Sequence, residues 1–415
     1  MKTFVRSAVR IAEVLTFAAA LPSAVSGAYL GLLTGLARPK RPLVGDRSVR
    51  FAVVIPAHNE AFGIAETVRS VLALDYPETL RKVIVIADNC TDNTAQVAKD
   101  AGAEVIERFD AKRKSKGFAL SDGFPDVLAD RWVDAIVVVD ADTVVQENLL
   151  SCFAAHFAAG AKVVQADYAV ANPDHGWRTE LLDVAFTCFH EVRSLGRETL
   201  GVSSGLRGNG MGFTRFALER VPHDAASLVE DLEYGIALAN AGIRVVYAHD
   251  TKVWAEMPNN DAAAESQRRR WEEGRTLIRR QHGRALARSA IRHRDRVRAD
   301  LAADVLLPPL TTVLKRSVVV WLAASTLAVV RKRLVWAMIP AGMSLAGIGF
   351  HVLTGWKRSS AGGRVIKGVP GYLRWKAGLT SRPVTADNAW VRTKRNAEIA
   401  LDEQAEAGEL PWQPS

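Results

Sequence analysis

The stretch Phe51-Ala52-Val53-Val54-Ile55-Pro56-Ala57-His58-Asn59-Glu60 decides the fold. Its first five residues are apolar without a break, so the run reads as a strand buried on both faces. Polar residues begin where the strand ends. The pattern recurs in Lys82-Val83-Ile84-Val85-Ile86, which runs into Ala87-Asp88-Asn89-Cys90-Thr91-Asp92. It recurs again in Ala135-Ile136-Val137-Val138-Val139, which runs into Asp140-Ala141-Asp142. A short strand, Glu104-Val105-Ile106, lies between these two. Helical spacing separates the strands: Ile64, Val68, Val71 and Leu72 share one face of Gly63 to Leu74, and Ala95 to Ala101 follows the second strand. The alternation specifies an α/β domain, a mostly parallel sheet with helices on both faces. Such sheets bind ligands at the carboxyl ends of their strands. One acidic strand end is commonly a turn or a helix cap. Three at one edge form the pattern of a site. No G-x-G-x-x-G follows the first strand, which disfavours a nicotinamide or flavin cofactor.

The chain has 415 residues, 48% hydrophobic and 24% charged, which excludes a disordered or collagen-like polymer. Three cysteines, Cys90, Cys152 and Cys188, rule out a disulfide framework and fit a reducing compartment. The net charge of +9 is unevenly placed. Residues 1–50 carry 8 Lys/Arg against 2 Asp/Glu, residues 51–290 carry 27 against 34, and residues 291–415 carry 19 against 9. An acidic centre with basic flanks is the reverse of a nucleic-acid reader and suits the anionic inner face of a membrane.

Apolar runs accompany those flanks. Ile11 to Ala37 holds one charge, Glu13, and is long enough to span a bilayer. A cleaved signal peptide is the rival reading, with Ala24 to Ala28 as the cleavage site, but the run stays apolar well past that point. A second zone combines Val305–Leu314 with Ser317–Val330, interrupted by Pro308-Pro309 and by Lys315-Arg316. Leu334 to Leu353 is a clean third span. Three spans would put Arg331–Arg333 on the outer side, against the positive-inside rule. The expected organisation is a span and basic linker over 1–47, a catalytic domain over 48–290, two spans over 291–356, and a basic aromatic segment with an acidic tail over 357–415. Tyr372, Arg374, Trp375, Trp390 and Arg392 within that last segment suit a membrane interface.

The chemistry concentrates in a few motifs. Asp140 and Asp142, at i and i+2 after a buried strand, can meet one hard cation that keeps waters and takes substrate phosphates. Lys112-Arg113-Lys114-Ser115-Lys116-Gly117 reads as a basic loop able to close over phosphates. Ser203 to Gly212 is a glycine-rich loop where backbone can approach a substrate. Glu230-Asp231 opens a helix running to Asn240. Gln267, Arg270 and Trp271 share one helical face, with a fork for phosphate oxygens and a flat platform for a sugar ring.

Ile55-Pro56-Ala57-His58-Asn59-Glu60, the Asp88/Asp92 turn, Asp140-x-Asp142, Glu230-Asp231 and Gln267-x-x-Arg270-Trp271 occur in the order seen in glycosyltransferase family 2. Over about residues 50–285 and the flanking spans, the chain resembles its membrane-bound branch of cellulose-synthase-like and chitin- or hyaluronan-synthase-like enzymes. The resemblance implies a GT-A fold and an inverting, Mg²⁺- or Mn²⁺-dependent transfer from a nucleotide sugar, usually a UDP-sugar. It implies that Ala57 and Glu60 lie at the uridine, that Asp88 accepts from the uracil, and that Lys116 approaches the nucleotide. Asp140 would face ribose and phosphate, and Asp142, with Asp140, would hold the metal. Asp231 would be the general base, and Glu230, Gln267, Arg270 and Trp271 would serve the acceptor and pyrophosphate. The implied acceptor is a saccharide or lipid-linked hydroxyl, and the implied location is the inner (plasma) membrane, multi-pass, with the catalytic domain cytoplasmic. Val229 stands where the synthases commonly have threonine, and three spans are fewer than a secretion channel uses. Transfer of one or a few sugars is therefore as consistent as processive synthesis, which would call for assembly with copies of itself or a partner. A nucleotidyltransferase on a similar sheet would carry a glycine-rich basic loop after strand one, where this chain has His58-Asn59-Glu60. A catalytically inactive nucleotide-binding scaffold would have no need of Asp140, Asp142 and Asp231.

Overall fold

The structure, a computed structural model, describes residues 2–259, 261–333, 335–379, 396 and 398–399. Among the described residues, eight strands form one sheet: β1 (Phe51–Ala57), β2 (Arg81–Asp88), β3 (Glu104–Arg108), β4 (Ala135–Val138), β5 (Thr143–Val145), β6 (Val163–Val170), β7 (Met211–Thr214) and β8 (Val245–Ala255). Their order is β3-β2-β1-β4-β7-β6-β8-β5. β1 to β4 are mutually parallel, as the buried runs imply. β7 is antiparallel to both its neighbours, β5 is antiparallel to β8, and β6 and β8 are parallel. The sheet is thus parallel in its first half and mixed in its second.

Alternate residues of each central strand feed two separate cores. Phe51, Val53, Ile55 and Ala57 pack with Val68, Val85 and Phe153 on one face. Ala52 and Val54 pack with Leu120, Phe124, Phe213 and Tyr234 on the other. An unbroken apolar strand is needed because both faces are dry. Truncating Ile55 to alanine there would cost about 2–5 kcal/mol.

Among the described residues, three helices are long and apolar enough to cross a membrane: Ser7–Gly35, Leu310–Arg331 and Met338–Arg358. The interrupted second zone resolves at its prolines. Helix Arg296–Leu306 ends before Pro308-Pro309, and Pro309 caps the next helix. Leu301 and Val305 consequently leave the span and pack with Val229, Leu232 and Ile236. The third helix spans Met338–Arg358, and Leu334, the expected start of that span, lies outside the described residues. Gly27 and Gly347 let the first and third helices touch backbone to backbone: a Cβ on Gly347 would collide with the Gly27 carbonyl oxygen. Ser344 Oγ donates to Ser23 O at 2.7 Å and meets Ser317 Oγ at 2.7 Å, joining all three helices. Arg331 and Arg333 lie 3.8 and 3.2 Å from the Glu13 carboxylate. The charge that violates the positive-inside rule is thereby partly neutralised.

Helix Arg364–Leu379 carries the start of the basic aromatic segment and lays Gly368 against the Trp177 ring of helix Trp177–Phe186. The side chains of Arg374, Trp375 and Lys376, the residues Trp390, Arg392, Lys394 and Arg395, and most of the acidic tail lie outside the described residues.

Candidate active site

The carboxyl ends of β2, β1 and β4 lie side by side, because β1 pairs with both neighbours. Two inter-strand spacings, about 10 Å, separate the tips of β2 and β4. β1 ends at Ala57, fully buried, and His58 Nδ1 meets the Asp88 carbonyl oxygen at 2.7 Å. Asn59 takes a left-handed backbone (φ 56°), and its Oδ1 accepts from Thr91 N at 2.7 Å. Glu60 N donates to Thr94 Oγ1 at 2.8 Å. Asp92 accepts from Ala61 N and Thr94 N, so it holds the turn together.

Asp88 is completely buried. Its Oδ1 accepts from Arg108 Nη1 at 2.5 Å and from Asn89 Nδ2 at 3.0 Å. Among the described residues, its Oδ2 has no hydrogen-bond partner. A buried carboxylate oxygen left bare costs about 1–3 kcal/mol or more, so it suits a donor brought by a ligand.

The basic stretch before β4 is only partly a loop. Ser115 caps a helix, accepting from Phe118 N, and Lys116 is its first residue. Lys116 Nζ is 2.5 Å from Asp140 Oδ1, 2.5 Å from the Gly208 carbonyl oxygen and 3.6 Å from Glu230 Oε1. Burial opposes its charge, but Asp140 and then Glu230 hold the ammonium well above its ordinary range. Lys112 to Lys114 do not share this position. The residue that reaches the acidic rim does so from a helix start, fixed rather than swinging.

Asp140 N donates to Asn209 Oδ1, and Asn209 Nδ2 donates to Thr143 Oγ1 at 2.7 Å. The glycine-rich loop is thus tied to both sides of the D-x-D turn. Asp142 is exposed beside half-buried Asp140. An oxygen-only pair with one carboxylate open to solvent fits a hard divalent cation that fills its other positions with water and phosphate.

Glu230 and Asp231 open helix Glu230–Asn240, as expected. Gly208 (φ 81°) sits between them and Lys116: a Cβ there would lie 3.6 Å from Lys116 Nζ and 3.7 Å from Asp231 Oδ2. Burial pushes the Glu230 carboxyl up to about 7, with Lys116 opposing and Asp231 reinforcing. Burial also raises Asp231, against its hydrogen bond from Leu232 N and against the Lys116, Arg207 and Arg275 charges.

Arg270 and Trp271 reach the same region on helix Asp261–His293. Trp271 packs on Phe186 at 5.9 Å between ring centroids, and Phe186 packs on Tyr168 at 5.4 Å. Tyr168 is the link to the rim. Burial and then the Asp142 and Asp140 charges hold its hydroxyl well above the ordinary value, while Asn209 and Arg270 oppose. Gln267 is half-buried, one turn before Trp271.

Several residues here escaped the sequence reading. Tyr168 lies on β6, which carries no β-branched run beyond Val163-Val164. Arg207 is buried, its guanidinium 4.3 Å from the Phe189 ring and its Nη2 donating to Ser204 O at 2.7 Å. Burial, then Arg197 and Arg193, overcomes the pull of Asp304 and lowers it to about 9. Asn209 is fully buried. Both Arg207 and Asn209 stood in the quoted glycine-rich loop, and a polar side chain between glycines is the signal that marks them.

A mixed open sheet with this strand order, helices on both faces and an acidic turn after β4 is the GT-A architecture. The model of glycosyltransferase-like family 2 matches residues 49–274, and the chain belongs to that family. The probable glycosyltransferase YdaM of Bacillus subtilis is 25% identical over 238 residues, 55% of this chain and 56% of that protein. The beta-monoglucosyldiacylglycerol synthase of Synechocystis is 28% identical over 61% of this chain and 55% of its own length. The poly-beta-1,6-N-acetyl-D-glucosamine synthase of Staphylococcus epidermidis is 24% identical over 53% of each. The chain spans about half the length of these curated relatives. Among solved structures, the mannosyltransferase PcManGT of Pyrobaculum calidifontis, in complex with GDP-Man and Mn²⁺, is similar at TM-score 0.51 and 17% identity, over 90% of this chain and 95% of that one. That likeness establishes the fold.

Proposed function

We infer that the protein transfers a sugar, with inversion, from a UDP-sugar to a hydroxyl of a membrane-borne acceptor, lipid-linked or polysaccharide, at the cytoplasmic face. The observation that carries this reading is the convergence of Asp140, Lys116, Glu230 and Asp231 around Gly208, beside the bare Oδ2 of Asp88. In this reading Asp88 accepts the base N–H, and Ala57 and Glu60 flank the nucleoside. Lys116 faces the phosphates. Asp142 and Asp140 would hold Mg²⁺ or Mn²⁺, which would supply charge neutralisation at the departing diphosphate. Asp231 takes the acceptor proton as the acceptor oxygen attacks the anomeric carbon. The C1–O bond to the diphosphate breaks on the opposite side, its electron pair leaves with the diphosphate, and configuration inverts. Burial raises the Asp231 carboxyl, which makes it a better proton acceptor than an ordinary aspartate.

Trp271, Arg270, Gln267 and Glu230 border the acceptor side. The helix Arg364–Leu379 flanks that side as well, packing Gly368 on the Trp177 ring of helix Trp177–Phe186, whose Phe186 packs with Trp271. This supports an acceptor arriving from the membrane. The names of the Synechocystis and Staphylococcus relatives, one a lipid and one a polysaccharide synthase, support the same acceptor classes. The deciding experiment uses purified full-length protein, a panel of UDP- and GDP-sugars with Mn²⁺, and a membrane extract as acceptor. UDP release coupled to labelled product in the lipid or polysaccharide fraction is the expected result. Turnover of GDP-sugars alone would overturn the assigned donor.

A further inference from the structure

A second polar cluster shares no residue with the strand-end site. Helix Leu149–Ala158 sets Cys152 and His156 four residues apart, on one face. Both are buried, at 5% and 8% exposure. They converge on Asp250 of β8: Cys152 Sγ is 3.0 Å, and His156 Nε2 3.5 Å, from the same Asp250 oxygen. The three ligand atoms all lie within 4.8 Å of one another. Among the described residues the buried His156 Nε2 has no well-aligned hydrogen bond: its near partner is that Asp250 oxygen at 3.5 Å, an arrangement that a metal ion on its lone pair would improve. Asn148 Nδ2 donates to the Asp250 carbonyl oxygen at 2.9 Å and fixes that strand position from the start of the same helix.

We propose that Cys152, His156 and Asp250 bind one Zn²⁺-class transition-metal ion, distinct from the hard cation at Asp140 and Asp142. The donor set decides the class. A thiolate with an imidazole is too soft for Mg²⁺ or Mn²⁺ and selects Zn²⁺. Metal–ligand bonds of about 2.0–2.3 Å in a tetrahedron place ligand atoms roughly 3–4 Å apart, close to the spacing seen. Charge balances as well: the thiol proton leaves to solvent on binding, and thiolate plus carboxylate match a divalent cation. His156 and Asp250 also line a cavity of about 640 Å³ together with Arg38, Lys40 and Arg41, so the fourth position opens on that cavity and takes water. The ion would clamp helix Leu149–Ala158 to β8. The linker leaving the first membrane helix runs against that helix, where a Cβ on Gly45 would lie 2.5 Å from Ala155 Cα.

The test is Co²⁺ titration of chelator-treated full-length protein in detergent, read as the thiolate-to-cobalt charge-transfer band. The carboxylate pair at the strand ends gives no such band. The expected result is a band saturating at about one equivalent, displaced by Zn²⁺, lost in both Cys152→Ser and His156→Gln, and kept in Cys90→Ser and Cys188→Ser. No band in folded wild-type protein overturns the proposal. So does a band that survives both Cys152→Ser and His156→Gln, or one lost only with Cys90 or Cys188. Because His156→Gln leaves every thiol in place, the conclusion does not depend on the Cys152 variant folding.

Discussion

Replacing Lys116 by methionine tests the electrostatic centre of the site. Its ammonium is the cation lying against Asp140 at 2.5 Å and Glu230 at 3.6 Å, with side-chain exposures of 16%, 28% and 12%. Removing one partner of a buried pair costs about 3–5 kcal/mol. Partial solvent access to Asp140 lowers that to about 2–4 kcal/mol, or roughly 4–16 °C in melting temperature for a domain of this size. The pH dependence has a definite sign. The Glu230 carboxyl is raised from 4.5 to about 7, so its contribution to stability is fully present below pH 4.5 and is lost as pH rises through 7. Without Lys116 the folded carboxyl rises further, and the loss extends above neutrality. The Lys116 ammonium itself, held above its ordinary value, stays charged throughout this window. The stability gap between wild type and Lys116→Met should therefore widen from about pH 5.5 to about pH 8. Thermal unfolding in detergent at both pH values measures it, and the Lys116→Met/Glu230→Gln double variant should recover much of the loss at the higher pH. An equal gap at both values, or no recovery in the double variant, would refute the reasoning.

Asp231→Asn should lower transfer by about 10²–10⁴-fold while leaving UDP affinity within a few fold, read by product formation and calorimetry; undiminished transfer removes the assigned base. Asp88→Asn keeps the shape of the strand end but turns a bare acceptor into an amide. UDP should bind about tenfold more weakly, measured by calorimetry, and CDP should lose less. Gly208→Ala forces a side chain into a left-handed backbone (φ 81°) between Lys116 and Asp231. It should destabilise by about 1–2 kcal/mol and cut kcat more than KM, since the distortion falls where charge develops.

The elements read most directly from the chain are those in which neighbours in sequence carry the whole signal. β1, β2 and β4 are unbroken apolar runs buried on both faces, and Glu230 starts its helix where an acidic pair precedes an apolar repeat. β6 was not legible in the same way. Gln165 in its middle is buried because its Nε2 donates to Asn209 O and its Oε1 accepts from Arg207 N, partners more than 40 residues away. The basic stretch before β4 reads as a loop by composition, yet Ser115 caps a helix that places Lys116 alone at the rim. The apolar zone after Leu301 reads as one interrupted span, and its first part instead covers Val229 and Leu232 at the start of helix Glu230–Asn240.

The sequence by itself determined the α/β class, the rim at which the acidic residues gather, and three helices long enough to cross a membrane. Hydrophobic period, length and strand-end polarity are local properties, and they need no knowledge of what packs against them. Only the tertiary structure decided that Lys116, rather than its basic neighbours, meets Asp140 and Glu230, that Arg108 closes one side of Asp88 and leaves the other bare, and that Cys152 and His156 face Asp250. Each of those pairings joins residues separated by 20 or more positions, except the helical Cys152–His156 step. The free energy of such contacts depends on burial and on distance, and neither exists until the chain has folded.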